Sequence, residues 1–170
     1  LGQHKDSINN LKIAIKINPN YAEAYSNLGV TLSEIGKYQE AIDNHKKSIN
    51  LNPNYAESYS NLGVTLGELG KFEEAKINHQ KAIQLNPKYT KALMNESFIR
   101  LQCGEFKLGW QLYENRYDKE TLPMRYPINK TWNGKYLKGT LLIWGEQGIG
   151  DHIFFGSMIS DIKKLADNII

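Results

Sequence analysis

The chain of 170 residues carries 21 basic and 18 acidic side chains, a formal net charge of +3, 41% hydrophobic and 23% charged residues. That balance excludes a disordered polypeptide, and the scattered charges, with no dense Lys/Arg block or basic and aromatic interleaving, exclude nucleic acid as an expected partner. Cys103 is the only cysteine, so an internal disulfide and a cysteine-built zinc site are excluded. No apolar run approaches bilayer length and residues 1–10 lack the basic-then-apolar layout of a signal peptide, so no membrane span and a cytoplasmic location are expected.

A repeat of 34 residues organises the first two thirds of the chain. Pro19, Pro53 and Pro87 keep this interval, each after Asn and each followed two residues later by Tyr21, Tyr55 or Tyr89, while Gly2, Gly36, Gly70 and Gly104 keep it in a second register. Such a period is the mark of stacked supersecondary units.

In chain order, residues 1–18 form the second helix of a hairpin, because Leu11, Ala14 and Pro19 fall in register with His45, Ser48 and Pro53. Residues 19–52 form a full hairpin: Tyr25, Leu28 and Leu32 recur at helical spacing, Gly36 interrupts, and Tyr38, Ala41, Ile42 and Ile49 resume it. Asn20 with Glu23 has the spacing of an N-terminal capping box, as do Asn54 and Glu57. Gly36 and Gly70 supply the left-handed residue that ends a first helix, and Pro53 and Pro87 stop the second. Residues 53–86 repeat the pattern with Tyr59, Leu62, Gly63, Leu66 and Ala75. Residues 87–117 are degenerate, with Glu96, Ser97 and Arg100 where an apolar residue, glycine and a second apolar residue are expected, although Gly104, Phe106 and Tyr113 keep register.

These residues resemble the tetratricopeptide repeat, whose pattern of bulky, Leu, Gly, Leu and Ala positions is met by Tyr25, Leu28, Gly29, Leu32 and Ala41. The resemblance implies a helical-hairpin superhelix whose first helices line a concave groove that binds a protein or peptide. The repeats also resemble those of O-linked N-acetylglucosamine transferases through Ala22-Glu-Ala-Tyr-Ser-Asn-Leu-Gly29. On that resemblance Asn27, Asn61 and Asn95 are the candidate peptide-binding residues, their carboxamides able both to donate and to accept. His45 and His79 share a register too, but equivalent side chains of successive repeats lie too far apart to share a metal, so they are expected in the core and no metal is expected.

Residues 118–139, with Pro123, Pro127 and Gly134, read as a linker. Thr140 to Trp144 then reads as a strand, Glu146-Gln-Gly-Ile-Gly-Asp151 as a glycine-rich turn and His152 to Ala166 as a helix, the opening of a parallel α/β unit. Gly148 and Gly150 are the candidate anion or phosphate turn. The string from Phe106-Lys-Leu-Gly-Trp110 through Leu141-Leu-Ile-Trp-Gly-Glu-Gln-Gly-Ile-Gly-Asp151 resembles a heptosyltransferase-like glycosyltransferase domain preceded by such repeats. This resemblance implies Asp151 as a general base, a nucleotide-sugar donor for a longer parent protein, and a truncated Rossmann-like domain over residues 140–170.

The expected fold class is therefore mainly α: a tetratricopeptide superhelix over residues 1–117, followed by the first β-α unit of a Rossmann-like domain. The chain opens on Leu1 rather than Met and closes on Asn168-Ile169-Ile170, the start of a buried strand, so a fragment is expected, without catalysis or cofactor of its own. The expected function is the substrate-handling arm of a larger glycosyltransferase. The alternative is an adaptor or a scaffold that self-assembles as a homo-oligomer through exposed repeat ends, with no transferase role.

Overall fold

The computed structural model describes residues 2–116, 136–141 and 163–169. The chain divides into two compact units, Leu1–Leu122 and Pro123–Ile170.

Among the described residues the first unit is built of seven α-helices: α1 (Gly2–Ile17), α2 (Ala22–Glu34), α3 (Tyr38–Leu51), α4 (Ala56–Glu68), α5 (Phe72–Leu85), α6 (Thr90–Gln102) and α7 (Phe106–Tyr113), the last continuing into a 3-10 turn at Glu114–Arg116. Helices α2 with α3, α4 with α5, and α6 with α7 pair as hairpins, and α1 packs on α2 as the second helix of a preceding one. The hairpins turn where the sequence places glycine. Gly36, Gly70 and Gly104 have φ of 77°, 71° and 78°, a region in which a Cβ is strained. At each turn the residue after the glycine reaches back: Lys37 N–H donates to Leu32 C=O, Lys71 to Leu66 and Glu105 to Arg100. This is a Schellman closure, and it satisfies carbonyls that the helix end would leave unpaired.

The expected capping boxes are corrected. The first helices start at Ala22 and Ala56, two residues after the asparagines, and their N-cap residues Tyr21 and Tyr55 make no side-chain capping bond. The asparagine that shapes the entry is the one before proline. Asn18 Oδ1 accepts from Asn20 N–H at 3.1 Å, Asn52 Oδ1 from Asn54 at 3.2 Å and Asn86 Oδ1 from Lys88 at 3.2 Å, each bending the chain through an Asx turn over the proline.

The core follows the small positions. Ala24, Ala41, Ala75, Ala82 and Ala92 are fully or almost fully buried, letting neighbouring helices approach closely. Leu28 and Leu32 pack with Ala41 over Ile8, Leu11 and Ile15 of α1, and Leu62 and Leu66 join Ile42, Ala75 and Ile99. Each buried leucine contributes about 1.5–3 kcal/mol by leaving water. Ser48, at a register usually alanine, donates its hydroxyl to Ala22 C=O at 2.6 Å and lies 2.6 Å from the Ser58 hydroxyl. That polar group is buried at no net loss because it is bonded.

The described part of the second unit consists of β1 (Leu137–Leu141), a 3-10 turn (Lys163–Leu165) and β2 (Ala166–Ile169). The strands run parallel, with Leu137 opposite Ala166 and Leu141 opposite Ile169. The expected Rossmann-like β-α unit is not upheld. The described strand, Leu137–Leu141, begins before the expected one at Thr140, and the residues expected to end a helix at Ala166 are a 3-10 turn passing into a strand. No α-helix is found among the described residues after Tyr113. Among the described residues this unit has two short strands and no α-helix, which is not a Rossmann half of several parallel strands covered on both faces.

Candidate peptide-binding groove

Direct packing of α2 on α4 and of α4 on α6 sets the first helices closer together than the second ones and puts them on the inner side of the stack. Two of the candidate asparagines, Asn61 and Asn95, tie the repeats together. Asn61 Nδ2 donates to Ser26 Oγ at 3.2 Å, and Asn95 Nδ2 to Ser60 Oγ at 3.4 Å. Each spans 35 residues, from one first helix to the one before. Among the described residues the carboxamide oxygens of Asn61 and Asn95 have no partner, so each asparagine keeps an acceptor on the inner face. Asn27 is exposed. A second rung runs beside the first, where Thr65 Oγ1 stands 3.4 Å from Ser33 Oγ and Thr31 Oγ1 3.3 Å from Ser7 Oγ. The asparagine positions were legible from their register; their serine partners were not, because a cross-repeat bond leaves no local spacing signal.

At the N-terminal ends of these helices, tyrosines and carboxylates gather. The Tyr55 hydroxyl donates to Glu57 Oε2 at 2.5 Å. Burial, then the Glu57 hydrogen bond and the charges of Glu57 and Glu23, hold the Tyr55 phenol well above its ordinary range. Burial and the Glu57 charge push Tyr89 the same way. Both phenols stay protonated donors.

The wall changes character in the last hairpin. Where earlier repeats carry the Leu28/Leu32 and Leu62/Leu66 pairs, α6 carries Glu96 and Arg100, and Arg100 Nη2 meets Glu96 Oε1 at 2.6 Å with both side chains largely buried. Arg100 also binds Glu105, which is held by Lys76 Nζ at 2.6 Å. Hydrogen bonding to Lys76, and then to Arg100, keeps the Glu105 carboxyl below its usual range. Ser97 replaces the glycine of the earlier repeats and donates to Gly109 C=O at 2.9 Å, Gly109 standing in register with Ala41 and Ala75. Beyond it Phe98, Trp110 and Tyr113 stack edge to face, at 5.9 Å for Phe98 with Tyr113 and 5.5 Å for Trp110 with Tyr113.

His45 and His79 are fully buried, and none of their ring nitrogens has a hydrogen-bond partner. Burial lowers both to about 4, so the rings are neutral core groups near pH 7. Among the described residues no group of three or more His, Cys, Asp or Glu side chains could hold a metal ion, and no helix is long and apolar enough to cross a membrane. The candidate base Asp151 and the candidate turn residues Gly148 and Gly150 lie outside the described residues.

Comparison with known proteins agrees with the periodicity. A model described as TPR repeat matches residues 1–36 and 32–70, and a model described as tetratricopeptide repeat matches residues 56–89. The protein FlbA of Caulobacter vibrioides is 36% identical over 69 residues, which are 39% of this chain and 12% of that protein. The chain thus spans only a small part of that relative's length. Among solved structures, one titled crystal structure of MamA is similar with a TM-score of 0.62 at 28% identity, covering 70% of each chain. Another, titled crystal structure of MamA protein, has a TM-score of 0.60 at 26% identity, covering 75% of this chain and 70% of that one. The repeat models stop short of the stretch that resembles a glycosyltransferase, and no β-α unit is found among the described residues, which overturns the heptosyltransferase-like and O-GlcNAc-transferase-like expectation. Its periodic hairpins, glycine turns and matched residues place the chain, over residues 1–89, in the tetratricopeptide-repeat family.

Proposed function

We propose that the helical array is a protein-binding scaffold or adaptor that takes an extended polypeptide along the inner wall of α2, α4 and α6. The observation that carries this reading is the alignment of Asn27, Asn61 and Asn95. Two of them are fixed in orientation by Ser26 and Ser60 and keep a free acceptor for a backbone N–H. Preset carboxamides lose little entropy on binding and read backbone rather than side chains, which suits a tolerant binder.

The test is to select a peptide from a random display library against the intact chain and titrate it. Asn27→Ala combined with Asn61→Ala weakens binding by about tenfold while far-UV circular dichroism is unchanged. Ser26→Ala loses the tether but keeps the carboxamide and has a smaller effect. Equal affinity for the wild type and the double asparagine variant would sink the reading.

A further inference from the structure

Residues spaced by four, three and four share one face of a helix. On α2 that face carries Glu23, Asn27, Val30 and Glu34, and on α4 it carries Glu57, Asn61, Val64 and Glu68. It belongs to the inner wall, because Asn61 reaches Ser26 of α2 across it. Glu57, Val64 and Glu68 are exposed although α4 has a first helix packed on either side, α2 and α6. Their exposure is therefore a property of the wall and not of an end of the array. Two rows of carboxylates run from repeat to repeat, Glu23 with Glu57 and Glu34 with Glu68. They stand about 16 Å apart along each helix, with the asparagines and valines between them. The charges of Glu23 and Glu57 both reach the Tyr55 phenol, so the first row is continuous across the two repeats.

These carboxylates are not neutralised from within. Helices α2 and α4 contain no basic residue. Among the described residues no lysine or arginine pairs with any of the four, Glu34 meeting only His4. Elsewhere in the array Glu40, Glu73, Glu74, Glu96 and Glu105 each hold a lysine or an arginine. A second observation points the same way. Asn61 and Asn95 spend a donor on Ser26 and Ser60 and keep their carboxamide oxygens, so the floor between the rows also offers acceptors.

We propose that the polypeptide taken by this wall is a basic one, an extended partner segment rich in lysine and arginine whose backbone follows the asparagines while its cationic side chains meet the two carboxylate rows. The inference rests on the peptide-binding reading above and adds the class of ligand. Ammonium and guanidinium groups are donors without acceptors, the complement of a wall that offers acceptors. An extended chain sends successive side chains to opposite sides. From midway between the rows each has to span about half their separation, which the long stems of lysine and arginine do. In α6 the same face reads Lys91, Asn95, Phe98 and Gln102, so the rows end at α4 and the basic segment lies over α2 and α4.

The probes are two fluorescein-labelled peptides of about nine residues, about 30 Å when extended, one repeating Lys-Lys-Ser and the other Gln-Gln-Ser, titrated into the intact chain by anisotropy. The lysine peptide is expected to bind saturably, about tenfold or more tightly than the glutamine peptide, and to weaken as salt rises. Glu57→Gln with Glu68→Gln weakens the lysine peptide by about fivefold to tenfold. Glu40→Gln with Glu74→Gln removes the same charge from α3 and α5 and changes its affinity by less than about twofold. Should the first pair lose helicity, Glu34→Gln with Glu68→Gln gives the same reading. No saturable binding of the lysine peptide, equal affinity for the two peptides, or equal loss in the inner and outer pairs overturns the proposal. If equal affinity for the two peptides comes with weakening of both by Asn27→Ala with Asn61→Ala, the peptide wall stands without its preference for charge. A lysine peptide untouched by that asparagine pair sinks the wall reading and this inference with it. A wild-type dimer that the Glu57 and Glu68 pair returns to monomer also overturns it, since the lysines of a second copy then occupy the wall.

Discussion

The imidazole of His45 lies directly on Gly29: a Cβ built at that glycine would stand 2.5 Å from His45 Cε1, and His79 stands over Gly63 in the same way at 2.6 Å. The ring is fully buried, so a methyl group there forces the ring or the helix that carries it to shift. Gly29→Ala and Gly63→Ala are each expected to destabilise the array by about 1–3 kcal/mol, read as a lower urea midpoint at unchanged slope.

The same two rings make stability depend on pH. Each is lowered from 6.5 to about 4 by burial, so the unfolded chain binds protons more readily than the folded one. Their contribution is complete above pH 6.5 and is lost as the pH falls towards 4, by about 3 kcal/mol per histidine at the lower limit. Urea unfolding at pH 7, 5.5 and 4.5 measures the loss. His45→Leu with His79→Leu, which copies the residue that α1 has at Leu11, should flatten the profile over that range; an unchanged slope would show that other groups drive it.

Glu96 and Arg100 occupy an apolar register as a buried pair. Arg100→Leu leaves a buried carboxylate unpaired and is expected to cost about 3–5 kcal/mol. Adding Glu96→Leu restores the leucine pair of the earlier repeats and should recover most or all of that loss. Thermal melts of the two single variants and the double variant measure the coupling.

The carboxamide tethers are worth less. Asn61→Ala and Asn95→Ala each remove one partly buried bond and are expected to cost about 0.5–1.5 kcal/mol, whereas Asn27→Ala, at an exposed position, should stay within about 0.5 kcal/mol. A cost at Asn27 equal to that at Asn61 would contradict the tether.

Much of the helical array was legible in the sequence because its signals are local and repeated. Proline and glycine in two fixed registers mark where helices stop, and the Tyr, Leu, Gly, Leu, Ala pattern marks which faces meet. The entry to each first helix differs from the capping box that Asn20 with Glu23 suggests, because the side chain that turns the chain there is Asn18, before the proline. The geometry that selects Asn18 depends on how proline bends the chain. The Ser26 to Asn61 and Ser60 to Asn95 bonds, and the unbonded state of the buried histidine nitrogens, arise from packing between repeats, which no spacing within one repeat encodes. Past Tyr113 the signal weakens. A short apolar run beside a glycine-rich turn fits several folds, and the strand at Leu137–Leu141 begins before the apolar run that suggested it.

The Asn–Ser tethers also bear on mechanics. Since α4 and α6 are each joined to the preceding first helix by a side-chain bond on the inner wall, lengthening that wall breaks those bonds. The array therefore resists uncurling more than it resists tighter curling. The carboxamides of Asn61 and Asn95 are thereby held at a fixed pitch of one repeat, like the marks on a rule.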